Sequence, residues 1–116
     1  MKGSLIDELT ERVVRFREVR EWKKYHTPKN LASSIAVEAA ELLEIFQWSE
    51  NGYDVVEVRK GKIAEEVADI FIYLLLFCHE CGIDIINAFN RKMEVNESKY
   101  PVEKAKGRSS KYTELK

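Results

Sequence analysis

Apolar residues recur at helical spacing from the start of the chain. Leu5, Leu9, Val13, Phe16 and Val19 lie three or four positions apart, with Arg and Glu filling the other faces. This spacing predicts an amphipathic helix from Ser4 to about Lys24. The segment Tyr25-His26-Thr27-Pro28-Lys29 breaks the pattern, since a proline disfavours helix in the residue before it. Asn30 is a suitable cap for the next helix. This second helix is expected from about Leu31 to Trp48, with Leu31, Ile35, Ala39, Leu42, Leu43 and Phe46 as its inner stripe and alanines allowing a neighbour to approach closely.

Ser49-Glu50-Asn51-Gly52 reads as a turn. Tyr53 to Lys60 is a short, charged, weakly amphipathic piece, and Gly61 separates it from a third major helix expected from about Lys62 to Cys81. Gly82 suits the left-handed position that ends a helix, and Asp84 suits the cap of a fourth beginning near Ile85. That helix should stop at Lys99 or Tyr100, because Pro101 follows. The tail from Val102 to Lys116 is polar and basic and would be mobile on its own. Four long helices in 116 residues predict an all-α, four-helix-bundle-like fold in a single domain, residues 1–116, with a core of about 4–100.

The run from Ile70 to Cys78 is apolar around the whole helix circumference, whereas one helix of a bundle needs only a stripe. Both sides need covering, which predicts a homodimer or homotetramer with this helix at or near the interface. The run is too short to span a bilayer, which takes roughly 20 apolar residues. The N-terminus has charges scattered among its apolar residues and no signal-like core, so the expected location is the cytoplasm. A net charge of −1 gives no general attraction for nucleic acid or an anionic membrane, and neither is expected as a partner. Cys78 and Cys81 share a helix face with too few further ligands for zinc and no βαβ context for redox chemistry, so they read as buried free thiols.

Chemistry enters with two acidic motifs, Glu38-Ala-Ala-Glu41 and Glu66-Val-Ala-Asp69. Positions i and i+3 lie about 60° apart around a helix and roughly 4.5 Å apart along it, so each motif presents a carboxylate pair in one direction. Either motif alone usually marks a solvated face. Here Glu38 and Glu41 are flanked by Ile35, Val37, Leu42 and Leu43, and Asp69 abuts Ile70 and Phe71, while carboxylates are rarely buried unless paired or metal-bound. Two such helices face to face would gather four carboxylates, an arrangement favoured by a hard divalent ion, Mg²⁺ or Mn²⁺, with a phosphate-bearing substrate. A di-iron carboxylate bundle is excluded because no Glu stands three residues before either histidine. A non-catalytic helical module that binds nucleotides or a partner protein is the alternative.

Trp22, His26 and Trp48 bracket the second helix and are either boundary residues or a base-stacking pocket. Lys92, Asn96 and Tyr100 follow one another at spacing four, as a solvated stripe or a phosphate and sugar contact surface. The chain has neither GxxxxGK[ST] nor GxGxxG, so phosphates would be held through metal and side chains.

In order, the segments Trp22 to Leu31 (WKKYHTPKNL), Val37 to Trp48 (VEAAELLEIFQW), Glu65 to Leu74 (EEVADIFIYL), Lys92 to Pro101 (KMEVNESKYP) and Ser110 to Leu115 (SKYTEL) resemble the MazG-like all-α nucleoside triphosphate pyrophosphohydrolases, in particular the dCTP pyrophosphatase branch. The resemblance implies hydrolysis between the α and β phosphorus atoms to a monophosphate and pyrophosphate, with dCTP or a modified dCTP as substrate. It implies metal binding by Glu38, Glu41, Glu66 and Asp69, and nucleotide contacts from Trp22, His26, Trp48, Lys92, Asn96 and Tyr100. Glu41, or Glu38 one turn away, is the candidate general base, and Lys92 the candidate for stabilising the departing pyrophosphate. The basic tail is a candidate lid.

Overall fold

The computed structural model describes residues 4–115, which contain helices and no strand. The long elements are α1 (Leu5–Val19), α2 (Pro28–Phe46), α3 (Tyr53–Cys81) and α4 (Ile85–Lys99), followed by the short α5 (Val102–Ala105). Single 3₁₀ turns occupy Lys23–Tyr25 and Tyr112–Glu114. The chain divides into two compact units, one ending at Ile83 and one beginning at Asp84.

In the first unit α2 and α1 both pack on α3. Buried or partly buried positions of α2 include Leu31, Ile35, Glu38, Leu42 and Ile45, and those of α3 include Ile63, Glu66, Ile70, Tyr73 and Phe77. Both series alternate steps of three and four, the spacing that keeps one stripe of a helix against a neighbour. Glu38 and Glu66 therefore occupy seam positions among apolar residues. The expected inner stripe of α2 needs correction on this point. Leu43 and Ala39 are exposed, because Leu42 and Glu38 take the seam and the residue following each is turned about 100° away.

Only Leu31, Leu75 and Leu76 among the described hydrophobic residues are buried, while Phe16, Val67, Phe71 and Ile72 remain exposed. A groove of about 430 Å³ on the first unit is lined by Leu9, Val13, Phe16, Phe71, Ile72 and Leu75. Cys78 is partly buried, but Cys81 is exposed, against the expectation of two buried thiols.

Three element boundaries differ from expectation, each for a local reason. Helix α1 stops at Val19 instead of continuing to about Lys24. Glu21 adopts a left-handed φ of 54°, the Trp22 N–H donates to the Arg17 carbonyl at 3.1 Å, and the Glu21 N–H donates to that of Glu18 at 3.0 Å. This is a Schellman ending built on glutamate where glycine is usual, so the ordinary stop signal is absent from the sequence. Helix α2 begins at Pro28, not Leu31, and Thr27 replaces Asn30 as its cap: Thr27 Oγ1 accepts from the Asn30 N–H at 3.2 Å. Pro28 sits in the first turn, where its missing N–H costs nothing.

The third difference is that Tyr53–Cys81 forms one element, interrupted at Arg59 (φ −124°, ψ 26°) instead of at Gly61. Gly52, by contrast, is required to be glycine. Its φ is 89°, and a Cβ there would lie 2.9 Å from the Phe46 ring. The Ser49 hydroxyl ties this turn together, accepting from the Gly52 N–H at 2.9 Å and donating to Asp54 Oδ1 at 2.6 Å.

In the second unit, Asp84 Oδ1 caps α4 by accepting from the Asn87 N–H at 3.0 Å. The tail is not free: the Tyr112 ring meets Tyr100 edge-on at 6.2 Å, and Lys99 Nζ lies 4.6 Å from the Tyr112 ring centre. Both contacts fix the 3₁₀ turn to the end of α4.

Candidate metal and nucleotide site

Glu38 on α2 and Glu66 and Asp69 on α3 each offer a carboxylate oxygen, all within 4.8 Å of one another. Packing of α2 on α3 produces this approach, because Glu38 and Glu66 hold seam positions and Asp69 follows Glu66 by one turn. Glu41 is exposed and stands outside that close group. It borders the same site, and its carboxyl group adds hydrogen-bonding and repulsion to Glu38.

Burial pushes the Glu38 carboxyl up to about 7, helped by hydrogen bonding to Glu66 and Glu41 and by the negative charges of Glu41 and Asp69. Glu66 moves the other way. The ammonium of Lys62, 3.1 Å from Glu66 Oε1, holds this carboxyl below its usual range, with the hydrogen bond to Glu38 second in effect. Of the two, Glu38 is therefore the more readily protonated and Glu66 the more readily ionised. Each residue retains a buried Oε2 with no hydrogen-bond partner. Orphaned carboxylate oxygens converging from two helices fit a hard divalent cation, whose ligands of choice are oxygens.

Beside the carboxylates lies a cleft of about 440 Å³, walled by Glu41, Trp48, Arg59, Lys62 and Glu66 among others. Trp48 is 91% exposed at this cleft, a bare ring unlike a core aromatic. Trp22 and His26 form a separate cluster. Trp22 meets Phe16 edge-on at 5.7 Å and His26 at 6.5 Å, with the Arg20 guanidinium 3.7 Å above the Phe16 ring. Burial and then the Arg17 charge hold His26 below its usual pKa, and its buried Nδ1 has no partner. Lys92, Asn96 and Tyr100 belong to the second unit, Lys92 and Asn96 on α4 and Tyr100 at its end, with Asn96 half-buried and the other two exposed.

Two charged features at or near this region escaped the sequence reading. Lys62 stands four residues before Glu66, a spacing at which helical ion pairs form. Arg17 on α1 meets Glu80 on α3 and has no comparable sequence signal.

Residues 33–115 match the MazG-like family, and the chain belongs to it. Over 104 residues it is 35% identical to dCTP pyrophosphatase 1 of Homo sapiens and 36% identical to that of Bos taurus, each match taking in 86% of this chain. The chain spans 61 to 62% of the length of these two relatives. It also resembles the crystal structure of a pyrophosphatase from Archaeoglobus fulgidus, with a TM-score of 0.82 and 51% identity, covering 87% of this chain and 96% of that one.

Proposed function

We propose that the protein is a divalent-metal-dependent nucleoside triphosphate pyrophosphohydrolase that cleaves between the α and β phosphates, with dCTP or a modified dCTP as substrate. The observation that carries this reading is the convergence of Glu38, Glu66 and Asp69, with buried oxygens of Glu38 and Glu66 lacking any partner. Names of the relatives add the substrate class, since those relatives are dCTP pyrophosphatases and a pyrophosphatase. Glu38, Glu66 and Asp69, with Glu41 beside them, would hold Mg²⁺ or Mn²⁺, which would neutralise triphosphate charge, help orient the phosphoryl group and make water a better nucleophile.

The chain's own groups do the rest. Glu41 stands at the edge of the carboxylate group and on the cleft wall, where it can accept the proton of the attacking water, and Glu38 is the second choice. Water attacks the α phosphorus, the bond to the bridging oxygen breaks, and pyrophosphate leaves with that electron pair. Trp48 offers its exposed ring to the base. Trp22 and His26 as nucleotide contacts, and Lys92, Asn96 and Tyr100 as phosphate and sugar contacts, are assigned from the family likeness.

The apolar groove along Phe16, Phe71 and Ile72 supports a homodimer or homotetramer, because an exposed apolar patch of this kind favours association. No helix among the described residues is long and apolar enough to cross a membrane, and we assign the protein to the cytoplasm, where nucleoside triphosphates are made and used.

The test is a panel of ribo- and deoxyribonucleoside triphosphates incubated with Mg²⁺ or with chelator, the products resolved chromatographically. Monophosphate and pyrophosphate that disappear on chelation, with dCTP preferred, support the reading. Diphosphate and orthophosphate contradict the bond assigned, and no turnover of any nucleotide favours a binding module.

A further inference from the structure

Four residues of α3 follow one another at steps of three, four and three: Arg59, Lys62, Glu66 and Asp69. The first two are cations on the wall of the cleft, and the last two belong to the carboxylate group. One stretch of helix thus runs from a positive end to a negative end beside one opening. At 1.5 Å per residue, Lys62 lies about 6 Å and Arg59 about 10.5 Å along the axis from Glu66, within reach of long side chains.

Lys62 is a poor candidate for a purely structural role. Its side chain is half-exposed at the rim while that of Glu66 is almost wholly buried, and it contacts only one of the two carboxylate oxygens, leaving Oε2 without a partner. Arg59 makes no ion pair among the described residues, and the irregular backbone at this residue sets it apart from the regular turns of α3.

We propose that Arg59 and Lys62 form a polyphosphate grip on the wall of the cleft, with Lys62 passing from Glu66 to a phosphate oxygen when that carboxylate is taken by a divalent cation. This rests on the pyrophosphohydrolase reading and deepens it. Lys62 neutralises Glu66 while the site lacks a divalent ion, and it competes with that ion for the carboxylate. Once displaced, its ammonium joins the Arg59 guanidinium facing the β and γ phosphates, on the side of the chain that departs as pyrophosphate. Arg59 suits this role because guanidinium pairs with phosphate oxygens through two parallel hydrogen bonds. The row supplies positive charge from within the first unit, independently of Lys92.

The two functions of Lys62 give opposite signs in one experiment. Mn²⁺ binding is measured by electron paramagnetic resonance without nucleotide, and inorganic tripolyphosphate binding by calorimetry with saturating Mg²⁺. Lys62→Met should bind Mn²⁺ about two- to fivefold more tightly, having lost a competing half-exposed ion pair. The same variant should bind tripolyphosphate roughly tenfold more weakly, as expected for a lost charge-assisted hydrogen bond. Arg59→Ala should weaken tripolyphosphate similarly and leave Mn²⁺ binding unchanged, while Lys62→Arg should retain tripolyphosphate. Weaker Mn²⁺ binding in Lys62→Met would mark Lys62 as mere support and overturn the proposal. If wild-type protein takes up Mn²⁺ and hydrolyses nucleotide but Lys62→Met and Arg59→Ala hold tripolyphosphate as tightly as wild type, the grip is refuted and the hydrolase reading stands. If wild type takes up no Mn²⁺, both fall together.

Discussion

Arg17 on α1 places Nη1 2.7 Å from Glu80 Oε1 on α3, and the arginine is only 1% exposed. This ion pair joins two helices that also line an open apolar groove. Removing one partner leaves the other charge buried without compensation, which costs about 3–5 kcal/mol for a fully buried pair and less here, because the Glu80 side chain keeps some exposure. Glu80→Gln should therefore destabilise the protein by roughly 2–3 kcal/mol in urea unfolding. Arg17→Met combined with Glu80→Gln should lose less than the two single changes together.

The raised Glu38 carboxyl makes stability and metal binding respond to pH in opposite directions. Because its folded value of about 7 exceeds the ordinary value of 4.5, the folded protein holds a proton that the unfolded chain releases between these limits. The contribution of Glu38 is then fully present below about 4.5 and is lost as pH rises through 7. Divalent cations need the ionised form, so Mn²⁺ affinity should fall as pH drops below 7. Thermal unfolding without metal and Mn²⁺ titration, each from pH 5.5 to 8.5, should show the crossing trends, and Glu38→Gln should flatten the first.

Glu41 and Asp69 should separate by phenotype. Glu41 stands apart from the close carboxylate group, so Glu41→Gln should lower kcat by about 100-fold or more while Mn²⁺ still binds. Asp69 belongs to that group, so Asp69→Asn should weaken Mn²⁺ binding and lower turnover together. Equal loss of Mn²⁺ binding in both variants would place Glu41 among the ligands instead.

The left-handed Glu21 is an avoidable cost. A non-glycine residue in this region is disfavoured by roughly 1–2 kcal/mol, part of which glycine returns through its freer unfolded chain. Glu21→Gly should raise stability by about 0.5–1 kcal/mol, measurable as a higher midpoint in a denaturant titration.

These positions also show what the sequence could disclose. The acidic motifs were legible because helical spacing dictates that Glu66 and Asp69 point the same way and that Glu38 falls near an apolar stripe. Which carboxylates approach most closely depends on the rotation of α2 about its axis, which keeps Leu42 of the expected stripe inside and turns Leu43 out. The glycine at Gly82 and the acid at Asp84 announced their helix boundaries through the chemistry that ends and starts helices. Glu21 gave no such notice, since its conformation is imposed by the turn into Trp22 and not by its own preference. The Arg17 and Glu80 pair was hidden because the two residues meet only through the packing of α1 on α3.

The irregular backbone at Arg59 also bears on how this chain tolerates change in length. In an unbroken helix, one inserted residue turns everything beyond it by about 100°. At Arg59 the regular succession of turns is interrupted between Tyr53–Val58 and the part of α3 that carries Glu66 and Asp69, a place where such a rotation can be absorbed. Changes of length upstream of the break should therefore be better tolerated than changes between Lys60 and Asp69, which would turn the carboxylates directly.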